Sequence, residues 1–383
     1  MPDEMQKGLE GVPVAESALS SIDGAAGRLV YRGYDIAELA REASYEEVLY
    51  LLWYGELPTR EELAAFETRL TEERAVNPGV YDALRELADA GERPMAALRT
   101  AVSMLSANDP AEPAPGDTEA LLEQGRRITA KVPTVLAAYD RIRRGEEPVE
   151  PDPELGYAAN FLYMLTGETP DGVSAETFDQ ALILHADHGL NASTFTAIVI
   201  ASTLADAYSA VTGGVAALSG ALHGGANQDV MEVLLEIRES EKGPIEFVDD
   251  ALEAEDWRVP GWGHRVYDVK DPRAEILEAR LGELAAASGD DTWERYTSEI
   301  EEYLVTEQGL LEHNIAPNVD FYSGSVYHHL GIPVDMYTPI FAMSRTGGWV
   351  GHIVEYVADN RLIRPRAEYV GDESAEFVPL GER

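Results

Sequence analysis

Cysteine is absent from this chain of 383 residues. Its absence excludes disulfides, a thiol nucleophile and any Cys-ligated zinc, removing several enzyme classes at once and leaving the compartment open. Lysine is scarce: only Lys7, Lys131, Lys242 and Lys270 contribute to the 29 basic residues, against 70 Asp and Glu. The resulting formal net charge of -41 repels nucleic acid and anionic membranes, so neither is expected as a partner. The acids are spread along the chain, on stretches that read as helix such as Glu294 to Glu312, and do not gather in an interaction tail. At ~1 M salt the Debye length falls to about 3 Å and the self-repulsion is largely screened. The composition therefore predicts a protein adapted to a salt-filled cytoplasm.

Long apolar runs are also missing. The opening "MPDEMQKGLEGV" has no apolar h-region, and the most apolar stretch, residues 195 to 222, is interrupted by Asp206, Tyr208 and Gly213-Gly214. A soluble cytoplasmic protein is the expectation. No internal repeat or low-complexity tract appears.

What is present is enough for a folded core: the length allows two or more domains and the hydrophobic content is 45%. Most of the chain repeats its apolar residues near a period of 3.6. "SYEEVLYLLWYGELPTREELAAFETRL" offers Ser44 as a cap, turns Leu49, Leu51, Leu52 and Trp53 inward, then breaks at Gly55 and Pro58 before a second amphipathic run. One extended region stands out, "VPVAESALSSIDGAAGRLVYRGYDI", where short β-compatible runs flank the turn signal Asp23-Gly24; it predicts a small hairpin or meander. Two Pro-rich acidic segments, 106 to 120 and 145 to 156, read as exposed connections between helices.

The chemistry concentrates at glycine-rich junctions. "RVPGWGHRVYDVKDPR" (258 to 273) sets His264 after a glycine and beside arginines, a combination suited to polarising the carbonyl of an anionic substrate. His223 in "SGALHGGANQD" follows an apolar helical run and precedes a new helix, where a nearby helix N-terminus favours a neutral imidazole. A neutral imidazole can donate one hydrogen bond to a developing enolate. Asp320 in "HNIAPNVDFYSG" has Phe321 and Tyr322 beside it, and apolar neighbours raise a carboxylate's pKa toward the range of a useful base. His185 and His188 in "LHADHGLNAS", and His352 in "GGWVGH", lie in similar surroundings. Arg273, Arg345 and Arg364 are local reversals in an acidic chain, suited either to bidentate capture of small carboxylates or to ion-pair networks.

In order along the chain, "GLEGVPVAESALSSIDGAAGRLVYRGYDI", "EVLYLLWYGELPT", "HADHGLNAS", "GALHGGAN", "GWGHRVY…DPR", "PNVDFYSG" and "SRTGGWVGH…RP" resemble the citrate synthase family from about Gly8 to Tyr369, at the length of its short, dimeric form. The resemblance implies a mainly α fold of two domains with a minor N-terminal β-hairpin. A large, dimer-forming helical domain would comprise residues 1–224 and 332–383, and a small mobile helical domain residues 225–331, closing over substrate. It implies condensation of acetyl-CoA with oxaloacetate and water, a step of the tricarboxylic acid cycle, with no cofactor and no metal. Asp320 would be the base, His223 would stabilise the enol, and His264 would polarise the oxaloacetate carbonyl and protonate the new alkoxide. His188, Arg273 and Arg345 would bind oxaloacetate, Phe341 would flank the reacting groups, and Arg364 would reach in from the partner of a homodimer. Gly261, Trp262, Gly263 and Asn318 would line the CoA site.

Two positions depart from the family pattern. Asp268 stands where the family often has a basic residue for CoA phosphate, leaving Lys270 or Arg265 as substitutes, and Gly189 replaces the Glu that usually follows "DH". Two other readings stay open here: 2-methylcitrate synthase, which uses propionyl-CoA with the same catalytic set, and a metal-binding protein with His185 and His188 at i, i+3 as ligands.

Overall fold

The computed structural model describes residues 6–9, 11–110, 114–254 and 257–383. Residues 111–113 of the predicted acidic connection, and the first five residues of the expected large domain, fall outside these. After a short 3-10 turn, Lys7–Leu9, comes a three-stranded antiparallel sheet, β1 (Ser20–Asp23), β2 (Arg28–Tyr31) and β3 (Tyr34–Asp35). Register runs from Ser20 opposite Tyr31 to Asp23 opposite Arg28. The expected hairpin is thus a meander, its third strand only two residues long.

Helices follow: α1 (Ile36–Glu42), α2 (Tyr45–Tyr54), α3 (Arg60–Glu72), α4 (Pro78–Asp89), α5 (Pro94–Leu105), α6 (Thr118–Arg143), α7 (Tyr157–Thr166) and α8 (Gly172–His185). The second half holds α9 (Ala192–Ala201), α10 (Ala207–Leu218), α11 (Ala226–Glu239), α12 (Pro244–Leu252), α13 (Pro272–Ser288), α14 (Thr292–Thr306), α15 (Val319–His329) and α16 (Tyr337–Ala358). Beyond α16 the chain is irregular, apart from one short turn of 3-10 helix, Leu380–Glu382.

The local signals act as written in the sequence. Ser44 caps α2 reciprocally with Glu47, and Gly55 ends the helix in the left-handed conformation. Asp271 caps α13 and Pro272 supplies its first residue, where a missing N–H costs nothing. The helix expected over Glu294 to Glu312 ends at Thr306, and Gly309, with a positive φ, starts a separate 3-10 turn.

Helix α16 is the spine that positions the site. It packs on α2, α6, α8, α9 and α10 and is buried along most of its length. Gly348 makes this approach possible: a Cβ there would stand 2.4 Å from the carbonyl of Ala186, which instead accepts the Gly348 N–H at 3.1 Å. The end of α8, with its histidines, is thereby held against the turn of α16 that carries Arg345. A second group packs α13 against α15 and α14, and α11 against α15, and α13 also meets α8 and α1.

Candidate active site

His223 is half-buried between α10 and α11. Its Nε2 faces the backbone N–H of Ser193 at 3.1 Å and the Ser193 hydroxyl at 2.8 Å. A ring nitrogen that receives a backbone N–H is unprotonated, so the proton of the neutral imidazole lies on Nδ1. Ser193 is in the first turn of α9, so the helix end acting on His223 is that of α9, not of α11, which follows in sequence. Burial, with Arg345 and Arg265 nearby, pulls the imidazole down to about 4.

His264 has the opposite tautomer. Its Nδ1 accepts the N–H groups of Val266 at 3.0 Å and Tyr267 at 3.2 Å, which leaves the proton on Nε2. Burial and Arg273 bring it to about 4. The rings of His264 and His188 stand edge to face with centroids 5.2 Å apart, and His188 Nε2 lies 3.3 Å from the hydroxyl of buried Tyr267. His188 is pushed well down by burial and by Arg273. Around neutral pH all three imidazoles are uncharged.

Two guanidiniums are buried beside them. Arg273 is gripped by Asp271 through Nε to Oδ1 at 3.0 Å and Nη2 to Oδ2 at 2.7 Å. Arg345 donates Nε to the carbonyl of His185 at 2.7 Å and lies 4.6 Å over the ring of Phe341. Burial lowers Arg345 to about 10, so it stays charged at neutral pH. Its counter-charge is Asp187, fully buried and held below its ordinary range mainly by His352, against the pull of its own burial. His352 Nε2 stands 3.1 Å from Asp187 Oδ1, while Gly189 N–H at 3.1 Å and the Ser20 hydroxyl meet Oδ2.

Asp320, half-buried in the first turn of α15, is raised to about 6 by burial, with Arg273 acting in the opposite direction. Its backbone is fixed by a zipper to the His264 loop. Asn318 accepts the Asp320 N–H through Oδ1 at 2.9 Å, and its amide Nδ2 donates to Gly263 O at 2.9 Å. Asn318 N–H meets Gly261 O at 2.9 Å, Gly263 N–H meets Ala316 O at 2.8 Å, and Trp262 pairs with Pro317 as an isolated bridge. Asp320 and His264 therefore share one backbone frame.

The remaining expected residues are placed differently. Lys270 is engaged by Glu278 at 2.8 Å and Glu301 at 2.6 Å and lies over Tyr322. Arg265, exposed on the same loop, meets no carboxylate among the described residues. Arg364 is exposed in the irregular segment after α16, outside the cluster within its own chain. His185 is fully buried, its Nδ1 donating to Ala181 O at 2.7 Å and its ring against Phe341. Among the described residues no group of three or more His, Asp or Glu is arranged to hold a metal ion, and no helix is long and apolar enough to cross a membrane.

Asp187, Asp271, Tyr267 and Ser193 support the site without having been singled out in the sequence. Only Asp271 carried a local signal, as the cap residue in Asp-Pro-Arg.

Residues 8–366 match the family described as citrate synthase, C-terminal domain. The citrate synthase of Haloferax volcanii is 59% identical over 385 residues, covering 100% of both chains. 2-Methylcitrate synthase 1 of Corynebacterium glutamicum is more distant, 40% identical with 99% of each chain covered. The structure of a citrate synthase from Thermoplasma acidophilum, in ternary complex with carboxymethyl coenzyme A and oxaloacetate, superimposes with a TM-score of 0.90 at 32% identity, covering 99% of this chain and 100% of that one.

Proposed function

The chain belongs to the citrate synthase family, and we propose that it condenses acetyl-CoA with oxaloacetate and water to give citrate and CoA. The observation that carries this reading is the pair of neutral imidazoles with opposite free nitrogens, Nδ1–H on His223 and Nε2–H on His264, around two buried guanidiniums. One electrophile is suited to each carbonyl of a carbon–carbon condensation.

In the proposed sequence Asp320 removes a methyl proton from acetyl-CoA while His223 donates its Nδ1–H to the thioester oxygen, limiting the charge on the enol. His264 polarises the oxaloacetate ketone through Nε2–H and yields that proton to the new alkoxide. Water then hydrolyses the citryl thioester. His188, Arg273 and Arg345 orient the oxaloacetate, and Phe341 fills the space under Arg345. Gly261, Trp262, Gly263 and Asn318 line the CoA side, and Arg265 is better disposed than the ion-paired Lys270 to meet phosphate. No cofactor or metal takes part in this reading.

Charge arithmetic supports a shared site in a homodimer. Within one chain the two guanidiniums face Asp271 and Asp187, and Asp320 is ionised above about pH 6. A dicarboxylate needs a further cation, which Arg364 of a second copy supplies. The tail bearing Arg364 also exposes Leu362, Tyr369, Val370, Phe377 and Leu380, apolar surface suited to lying on a partner. Residues 225–331 act as the mobile small domain, closing on the large domain formed by 1–224 and 332–383 and excluding water from the enol. The enzyme works in the cytoplasm.

The test is CoA release from acetyl-CoA and from propionyl-CoA, each with oxaloacetate, in molar-range KCl. A higher kcat/KM for acetyl-CoA is expected; preference for propionyl-CoA would assign 2-methylcitrate synthesis instead.

A further inference from the structure

The turn between β1 and β2 lies directly on the loop that carries His264. The N–H of Asp268 donates to the carbonyl of Gly24 at 3.1 Å. A Cβ on Gly24 would stand 1.7 Å from the carbonyl oxygen of Val266, so no larger residue fits while the two segments touch. Gly24 does not have a positive φ, so the glycine serves the close approach and not a left-handed turn.

Three successive amides divide the work on this loop. Those of Val266 and Tyr267 hold His264 Nδ1, and that of Asp268 holds Gly24. At its other end β1 holds the opposite side of the site: the Ser20 hydroxyl donates to Asp187 Oδ2 and receives the N–H of Gly189 at 3.1 Å, bracketing His188. A strand of four residues spans roughly 10 Å between its end residues and resists compression.

We infer that the N-terminal sheet is a positioning element for the reaction, with β1 as a spacer that sets His188 and His264 against each other. Ser20 fixes the His188 segment, and Gly24 catches the His264 loop through Asp268. Gly24 touches neither substrate nor reacting atom and acts through that loop. The inference rests on the roles proposed above for the two histidines.

The test uses the full-length enzyme in molar KCl, with Gly24→Ala and, as a control in the same turn, exposed Ala25→Ser. Gly24→Ala should lower kcat by about 10²-fold, the cost of misplacing a reacting group by about 1 Å, while melting temperature and circular dichroism stay as in wild type. Hydrogen exchange in the peptide 264–270 should accelerate at the Asp268 amide. Ala25→Ser should change none of these. A kcat for Gly24→Ala within about twofold of wild type would overturn the inference. If Gly24→Ala does not fold, exchange in the wild-type enzyme decides: protection of Asp268 by at least about tenfold supports the contact, and none refutes it. A wild-type enzyme that released no CoA would count against the proposed reaction, and the exchange result would still decide whether the turn holds the loop.

Discussion

Ser193 presents its backbone N–H to Nε2 of His223 at 3.1 Å, and this contact fixes which nitrogen of the neutral imidazole carries the proton. Nitrogen NMR of the histidine rings should show His223 with its proton on Nδ1 and His264 with its proton on Nε2, both neutral until the pH falls to about 4. Their unfolded-state values lie near 6.5, so the unfolded chain binds these protons first and the folded state loses stability as pH falls from about 6.5 through 4. Protonation of either ring near pH 6.5 would contradict the assignment.

As the proposed base, Asp320 is expected to set the acid limb of the rate profile. Its folded value of about 6 requires kcat/KM to rise with pH through that point, as the carboxylate becomes available as a base. For stability the sign is opposite: the contribution is present below about 3.8 and is lost as pH rises through about 6. An acid limb near pH 4 would mean that the desolvation of Asp320 is absent in solution.

Shared sites predict complementation. Arg364→Ala should raise the oxaloacetate KM by about tenfold or more, as expected for loss of a charge-assisted bond. Mixed with Asp320→Asn subunits in equal amounts, about half the dimers are heterodimers holding one unaltered site, so about a quarter of wild-type activity should return. No recovery after subunit exchange would place the site within one chain.

The proposed reading assigns phosphate binding to Arg265 and a structural role to the ion-paired Lys270. Arg265→Ala should raise the acetyl-CoA KM by about tenfold while leaving the oxaloacetate KM unchanged. Lys270→Ala should instead lower the melting temperature, since it leaves Glu278 and Glu301 without their common cation. The reverse pattern would return the phosphate contact to Lys270.

The net charge of -41 predicts a dimer that dissociates or unfolds as KCl is diluted below about 0.1 M, where the Debye length exceeds about 10 Å. Sedimentation across a salt series measures it, and an intact, active dimer without salt would refute salt adaptation.

The sequence was most legible where the physics is local. The Ser44 cap and the Gly55 stop depend on residues within one turn of each other, and both are found as read. The glycine junctions around His223 and His264 were legible because they interrupt helical periodicity. Asp187 was not, since its partners Ser20, Tyr31 and His352 lie more than a hundred residues away in sequence. The same holds for Ser193, whose role exists only because α9 aims its first turn at His223. The third strand, Tyr34–Asp35, was too short to leave a period, and the tail with Arg364 has no helical pattern that would point to a partner.

Asp320 is proposed as the base for a carbon acid and not as a ligand for oxaloacetate. The most direct measurement is kcat for Asp320→Asn beside its oxaloacetate dissociation constant, in the same molar KCl as wild type. The expected result is kcat lower by about 10³-fold or more with oxaloacetate affinity changed by less than about threefold. Unchanged turnover, or a loss carried by oxaloacetate binding alone, would contradict it.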